Sequence, residues 1–539
     1  MNIKKIRIIN YKIFQDIIVE MNDKVNIFVG ENDTGKSTIL EALSLVLTGK
    51  LNGTTLNTRL NLDWFNYHAR LDYIESLTTD NPKSPPSIEI EVYFNNYEND
   101  TKLKNYKGTN NSLREDAAGI KVKIEFNNDY SETYKELLKQ SKISDIPIEL
   151  YKVAFYTFST PDYYPQTTAK KVGIIDTTKK DYGTVLNRFV SSSISEYLSE
   201  EEKTNLRLAY RSHRKEFTES SAVKSLNKKI QDEKVFENKI VGLNLRESEI
   251  DGWKNEIALS IDNIPFENIG FGTQNMLKSE LFLIQNSDVD ILIVEEPENN
   301  LSYTNMAILV KKLSNCGKQI FISTHSSFVA NKLSLNNLHL VANKTVTPLK
   351  DLSKDTYEFF MKLSGYNTLR LLLSNAIILV EGPADELIIQ RAYLDYKNNL
   401  PIEDGVDIMA IGGVAFKRYC ELAKLIGKRI TVVTDNDGMS DSIDNRYEEY
   451  KEVVDLCYEK DKLLFTLEPS VLFANKDCFD TFKAIVYRGN DIEDKTYEEI
   501  QEFMIKNKTE WSLRVFTSKE KISYPKYILD AIGCIQNEQ

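Results

Sequence analysis

Two sets of residues in this chain of 539 have the types and spacing to act on phosphate esters. The first is acidic. Ala376-Ile-Ile-Leu-Val-Glu381-Gly382-Pro-Ala-Asp385-Glu386 runs an apolar stretch into a carboxylate-rich turn, and Arg429-Ile-Thr-Val-Val-Thr-Asp435-Asn-Asp437-Gly438 ends another stretch in D-x-D-G. Along an extended chain residues i and i+2 point the same way, so Asp435 and Asp437 are expected to converge on one cation. Glu381, at the end of a neighbouring strand, can face them. Hard oxygen ligands without His or Cys suit Mg2+ or Mn2+ rather than Zn2+. Such a cluster fits phosphodiester cleavage, in which cations activate water and stabilise the departing oxygen. Either motif alone reads equally well as a solvated strand end or a structural Ca2+ loop; it is their pairing that favours chemistry.

The second set binds nucleotide. Gly30-Glu-Asn32-Asp-Thr-Gly35-Lys36-Ser37 matches G-x-x-x-x-G-K-[ST], directly after the strand-like VNIFV and before the helical STILEALSLVL. Glycines at both ends let the backbone wrap phosphates, so that the loop from Gly30 and Asn32 through Gly35 to Thr38 presents N–H groups and a helix N-terminus to negative charge. Lys36 would reach the β- and γ-phosphates of ATP, and the Ser37 hydroxyl would ligate Mg2+. Farther on, Ile291-Leu-Ile-Val-Glu295-Glu296-Pro-Glu298 delivers carboxylates to a strand end, where ligands gather in open α/β sheets. There Glu295 would hold Mg2+ through water and Glu296 would polarise the attacking water.

Both sets need buried strands that end in loops, and the text supplies them. Strands are expected at 25–29, 88–94, 289–294, 318–323, 376–380, 406–411 and 429–434. Charged, helix-forming text from about 195 to 262 suggests an insertion or a dimer-contact arm. The fold class is therefore α/β, with a nucleotide-binding domain over 1–350 and a parallel βαβ domain with a C-terminal extension over 369–539. The length agrees with two or three domains. Composition (41% hydrophobic, 27% charged) is that of an ordinary folded protein. No apolar run reaches the roughly 20 residues of a membrane span, and the N-terminus lacks a signal-peptide core. The scattered Cys316, Cys420, Cys457, Cys478 and Cys534 exclude a C-x-x-C zinc module and point to a reducing cytoplasm. The net charge of −12 neither supports nor excludes DNA as partner, because carboxylates gathered at metal sites count against the total while binding nucleic acid through the metal.

The order of motifs is more specific than any one of them. Gly270-Phe-Gly272-Thr-Gln274-Asn-Met-Leu277 resembles a degenerate ABC signature, whose Gly272 would close over a second subunit's ATP. Gln319-Ile-Phe-Ile-Ser-Thr-His325 resembles the strand and His-loop that contacts the γ-phosphate. With the INYKIFQDIIVEM lead-in, residues 1–350 resemble the RecF/SMC-like branch of ABC ATPases. The paired acidic strand ends, joined through Ile411-Gly412-Gly413, resemble a Toprim domain. An ABC-type ATPase head with a helical insertion, followed in one chain by Toprim, is similar to the OLD (overcoming lysogenization defect) family of endonucleases, which includes the nuclease subunit of the Gabija antiphage system and retron-associated nucleases.

That resemblance implies an ATP-linked, divalent-metal-dependent DNA endonuclease in antiphage defence. It implies metal held by Glu381, Asp385, Asp435 and Asp437, with Glu468 as a further ligand, and a late lysine stabilising phosphate charge. Lys521 is the choice for that lysine, with Lys519 and Lys526 as rivals. It also implies a homodimer or larger homo-oligomer through the ATPase heads, no membrane, and action either alone or with an operon partner, helicase-like or a reverse transcriptase with its non-coding RNA. Two other classes compete. One is a DNA-clamping or scaffold ATPase with a vestigial Toprim domain. The other is a topoisomerase or primase, for which no tyrosine-bearing DNA-gate domain or zinc module is legible.

Overall fold

The apolar runs that end in acidic motifs are strands of two parallel sheets in the computed structural model. The structure describes residues 2–159, 171–176, 198–232, 241–245, 260–285, 289–350, 352–362, 366–439 and 442–535, apart from 52–53, 57–59, 80, 96–97, 99 and 141–142.

In the N-terminal lobe the strand order is Val172–Asp176, Ile291–Glu295, Gln319–Ser323, Val25–Val29, Leu338–Ala342 and Thr345–Pro348. All neighbours are parallel except the last pair. Strands buried on both faces should read as unbroken apolar runs, and Ile291–Val294 and Ile320–Ile322 do, all buried. Because the strands are parallel, Gly30, Glu296 and His325 all emerge from the same edge. A second, antiparallel sheet is built on the hairpin Ile3–Tyr11/Phe14–Glu20, followed by Ile88–Phe94 and Ala117–Phe126. The helix Lys36–Thr48 lies in the core that joins the two sheets, which is why its sequence is apolar nearly all round.

The charged stretch forms two helices, Glu200–Glu219 and Ser221–Asp232, the first opened by a Ser199 capping box. Neither carries a fully buried side chain, as expected of an arm that stands off the core. The helical expectation fails at its far end. Ser260–Ile261 and Ile264–Pro265 form a small hairpin, and Asp262 and Asn263 both have positive φ (50° and 64°), the geometry of a two-residue type I′ turn. Of that expected segment, residues 195–197, 233–240 and 246–259 lie outside the described residues.

The C-terminal lobe is built on a four-stranded, all-parallel sheet in the order Val406–Ala410, Ala376–Val380, Ile430–Val433, Val454–Cys457. Its fourth strand was not legible in the sequence. It is a short edge strand, and its Asp455 pairs with Arg429 at 2.8 Å, so it lacks an apolar run. Helix Pro383–Lys397 and the helices after residue 466 share a core on one face. Helix Phe416–Ile426 covers the other, in a core continuous with the N-terminal sheet through Leu369, Leu371 and Leu372. Lys428 Nζ fastens that junction by donating to the Leu371 carbonyl at 2.8 Å. Among the described residues no helix is long and apolar enough to cross a membrane.

Candidate functional site

Gly30 to Thr38 wrap one end of a cavity of about 420 Å3 lined by Lys12, Asn32, Gly35, Lys36, Ser37, Glu296 and His325, among others. Both loop glycines are required. A Cβ on Gly30 would meet the Val341 carbonyl oxygen at 2.3 Å, and Gly35 has φ +107° with the Phe14 ring 2.5 Å from any Cβ. The Lys36 ammonium donates to the Gly30 and Glu31 carbonyls at 3.0 and 2.6 Å. Burial lowers its pKa, and the carboxylates of Glu296, Asp33 and Glu298 oppose that shift. This is a cradle of the size and charge that phosphates need, so nucleotide fits it.

Glu295 ends its strand in register with Ser323 and Asp176. Glu296 follows in a left-handed turn (φ 45°), pinned by its N–H to the Ser323 carbonyl at 3.0 Å. One Glu296 oxygen accepts from Asn299 at 2.8 Å and the other lies 3.9 Å from His325 Nε2. Glu298 holds the His-loop: its Oε1 accepts from Thr324 Oγ1 and the His325 N–H at 2.8 and 2.7 Å. Burial, then the nearby Lys36 charge, lowers the His325 pKa, so at neutral pH the ring is uncharged and can act as donor or acceptor. Gly272 does not line this cavity. It packs on the loop beyond Glu298, where a Cβ would stand 2.3 Å from the Asn300 carbonyl oxygen.

The second site lies at the C-terminal edge of the parallel sheet. Glu381 Oε1 accepts from Thr434 Oγ1 at 2.7 Å and the Asp435 N–H at 2.9 Å, tying two strand ends together. The Gly412–Gly413 turn lies against the same carboxylate, 3.4 Å from a Gly413 Cβ. Asp385 caps its helix by accepting the Gly382 N–H at 3.0 Å. Glu468 opens helix Leu467–Ala474, is 1% exposed, and keeps Oε1 buried without a hydrogen bond. Burial, then repulsion from Glu381, raises the Asp385 pKa to about 7. Burial, then repulsion from Asp385, Glu381 and Glu468, raises that of Asp435 to about 8. Four carboxylates are thus held where they repel one another, and a divalent cation among them would outweigh that repulsion and favour their ionised forms. The buried Glu468 carboxylate, whose Oε1 accepts no hydrogen bond and has only an ion pair at 3.4 Å, and the all-oxygen donor set fit such a cation.

Two expectations need correction. Asp437 does not continue the strand. The extended run ends at Val433, and Asp437 is exposed in a left-handed turn (φ 47°), so alternation does not carry its side chain to that of Asp435. Buried Asn436 makes the turn instead, accepting the Gly438 N–H at 2.8 Å. Nor is Lys521 the lysine drawn to the carboxylates. Lys519, Lys521 and Lys526 are exposed. Lys508, which opens helix Lys508–Thr517, lies 3.4 Å from Glu468 Oε1. Burial opposes its charge, but Glu468, Asp435 and Asp385 outweigh it and raise the pKa. Only a count along a helix would have found it, because Asn507-Lys508-Thr509 matches no motif. Should this edge cleave a phosphodiester, Lys508→Ala is expected to slow that step about 10²-fold, the order seen when one charge-stabilising donor is removed, while Lys521→Ala stays near wild type; single-turnover rates on plasmid check the ranking.

A loop cradling phosphate beside an acidic strand end, joined to a parallel sheet whose edge gathers carboxylates, defines an ATPase linked to a Toprim domain. Residues 1–330 match the family described as AAA ATPase domain, and the chain belongs to it. Residues 372–437 match the overcoming lysogenization defect protein-like TOPRIM domain, a span that holds Glu381, Asp385, Asp435 and Asp437 but stops short of Glu468 and Lys508. The chain thus joins an ATPase domain of that family to a segment that matches the OLD-like TOPRIM domain. It is also similar to the DNA replication and repair protein RecF of Clostridium beijerinckii, at 32% identity over 74 residues, which is 14% of this chain and a fifth (20%) of that protein. Solved structures similar to it include the SMC head domain from Thermotoga maritima, at 15% identity and TM-score 0.31, covering 65% of this chain and 99% of that one. The C-terminal region of the Xanthomonas campestris pv. campestris OLD protein is 18% identical with TM-score 0.25, covering 30% of this chain and 93% of that one.

Proposed function

We propose that this chain is an ATP-linked, divalent-metal-dependent DNA endonuclease acting in defence against phage, with Mg2+ or Mn2+ at the Toprim edge and ATP at the phosphate loop. The observation that carries the reading is the gathering of Glu381, Asp385, Asp435 and buried Glu468 at one sheet edge, where they repel one another, with Lys508 3.4 Å from Glu468 as the one ammonium seen paired there among the described residues. Divalent cations supply activation of water and neutralisation of charge on the cleaved phosphodiester. Glu381, Asp385, Asp435 and Glu468 would hold them, and exposed Asp437 would close the site from its turn. Lys508 places a positive charge where the phosphate becomes most negative.

At the other site the Gly30–Thr38 loop would bind and orient nucleotide, Glu295 and Ser37 would hold the Mg2+ that accompanies it, and Glu296 would orient the attacking water. Gly272, which stands outside its own chain's cavity, is free to meet a second copy's nucleotide, so we place two heads face to face in a homodimer. DNA as substrate is supported by the OLD-like Toprim match and by the RecF relative, a DNA replication and repair protein.

A second reading, a DNA-clamping ATPase with a vestigial Toprim domain, is favoured by one observation: among the described residues no three His, Cys, Asp or Glu side chains are already set to hold a metal. Metal removal separates the two. Supercoiled plasmid incubated with the protein and Mg2+ or Mn2+ is expected to be nicked or linearised, and excess EDTA to stop it. Cutting that survives EDTA excludes the metal-dependent mechanism, and no cutting with either ion excludes the nuclease reading.

A further inference from the structure

Apolar side chains crowd the surface around the D-x-D-G turn. Leu463 is 80% exposed and Met439 54%, with Phe465 beside them at 39%. Water-facing apolar groups of this size normally fold back on the protein. These are held out by hydrogen bonds. Asn436, buried between Asp435 and Asp437, donates to the carbonyls of Glu459 and Asp461 at 2.7 and 2.9 Å. The Asp437 N–H donates to the Phe465 carbonyl at 3.1 Å, and Ser470 Oγ donates to that of Leu464 at 3.2 Å. The loop 459–466 is therefore tied to the metal-site turn on one side and to the Glu468 helix on the other.

Charge is sorted within the same loop. Glu459 accepts the N–H groups of Lys460 and Asp461 at 2.9 and 3.2 Å, and Asp461 accepts that of Leu463 at 2.9 Å. Each of the loop's acids commits one oxygen to the loop's own backbone; Glu459 is half-buried, and Lys460, Asp461 and Lys462 are exposed beside the tip. An apolar tip with cationic flanks, beside carboxylates positioned to handle a phosphodiester, matches the chemistry of a DNA wedge. Apolar side chains enter between bases, and lysines hold the neighbouring phosphates.

We propose that Leu463, supported by Phe465 and Met439, inserts into duplex DNA and unstacks one base step beside the phosphodiester presented to Glu381, Asp435 and Glu468. This rests on the nuclease reading above, and it makes DNA with an already opened step the preferred substrate.

The test uses the full chain and two duplexes of one sequence, fully paired or carrying a two-nucleotide bulge, with 2-aminopurine at the central step. Binding of wild-type protein to the paired duplex should raise 2-aminopurine fluorescence, and Leu463→Ser, a surface change, should abolish the rise. In cleavage, Leu463→Ser should lose at least about tenfold on the paired duplex and stay within about twofold of wild type on the bulged one, because opening a stacked step is what the wedge supplies. No fluorescence rise with wild type, or an equal loss on both duplexes, overturns the proposal. A changed oligomeric state with an unchanged fluorescence response would assign the tip to protein contact and overturn it likewise. The nuclease reading fails separately, if wild type cuts neither duplex.

Discussion

Asp435→Asn is expected to reduce DNA cleavage by about 10³-fold or more while ATP turnover continues at the wild-type rate. The size follows from the role: metal assistance contributes several kcal/mol to phosphodiester cleavage, and each 1.36 kcal/mol is a factor of ten. The substitution is nearly isosteric. It keeps the backbone N–H that donates to Glu381 at 2.9 Å, and it removes an acid whose ionisation burial and three neighbouring carboxylates already disfavour. Without divalent cation the variant should therefore melt at the same temperature as wild type or slightly above it, since the lost carboxylate was a source of repulsion. The pairing of results is diagnostic. Lost cleavage with unchanged or raised melting temperature marks a metal ligand, whereas lost cleavage with a lowered melting temperature marks a damaged fold. Unimpaired cutting by Asp435→Asn would remove the acidic cluster from the mechanism altogether.

What could be read before the structure was known was whatever repeats locally. Gly30–Ser37, Glu295–Glu298 and Glu381–Asp385 each sit on a strand–loop–helix whose apolar strand, turn glycines and helix start are contiguous in the chain, so the elements fell within a residue or two of their positions. Two features escaped because their cause is not local. The Val454–Cys457 strand exists only because Ile430–Val433 offers it a parallel edge, and Asp455 hides it from any apolar count. Lys508 meets Glu468 because helix Lys508–Thr517 folds back onto the core around Trp511, a closure over tens of residues with no signature. Asp437 was misplaced for the opposite reason. A period-two rule was extended past Val433, where Asn436 had already turned the chain by bonding to a loop more than twenty residues away.

Glu296→Gln is expected to cut ATP turnover by about 10²- to 10³-fold without weakening ATP binding, the usual cost of losing a positioned general base or water-orienting carboxylate. Glutamine keeps the left-handed backbone turn, which depends on the N–H bonded to Ser323, and can keep the Asn299 contact. It loses the negative charge that faces Lys36 and the near-neutral His325. The phosphate cradle of Gly30–Thr38 is untouched, so nucleotide should bind and persist. If two heads close over two nucleotides, the variant should accumulate as an ATP-dependent dimer, visible as a shift to earlier elution in size-exclusion chromatography with ATP. A phosphate-release assay measures the turnover itself, and a wild-type rate would transfer the water-orienting role away from Glu296. The same variant separates binding from hydrolysis as the signal to the nuclease lobe, because the two lobes share one core through Leu369, Leu371 and Leu372. Plasmid cutting by Glu296→Gln at the wild-type rate in ATP means that the closed, nucleotide-bound head is enough to license the Toprim site. Cutting that falls in step with turnover means that each cleavage event waits on hydrolysis.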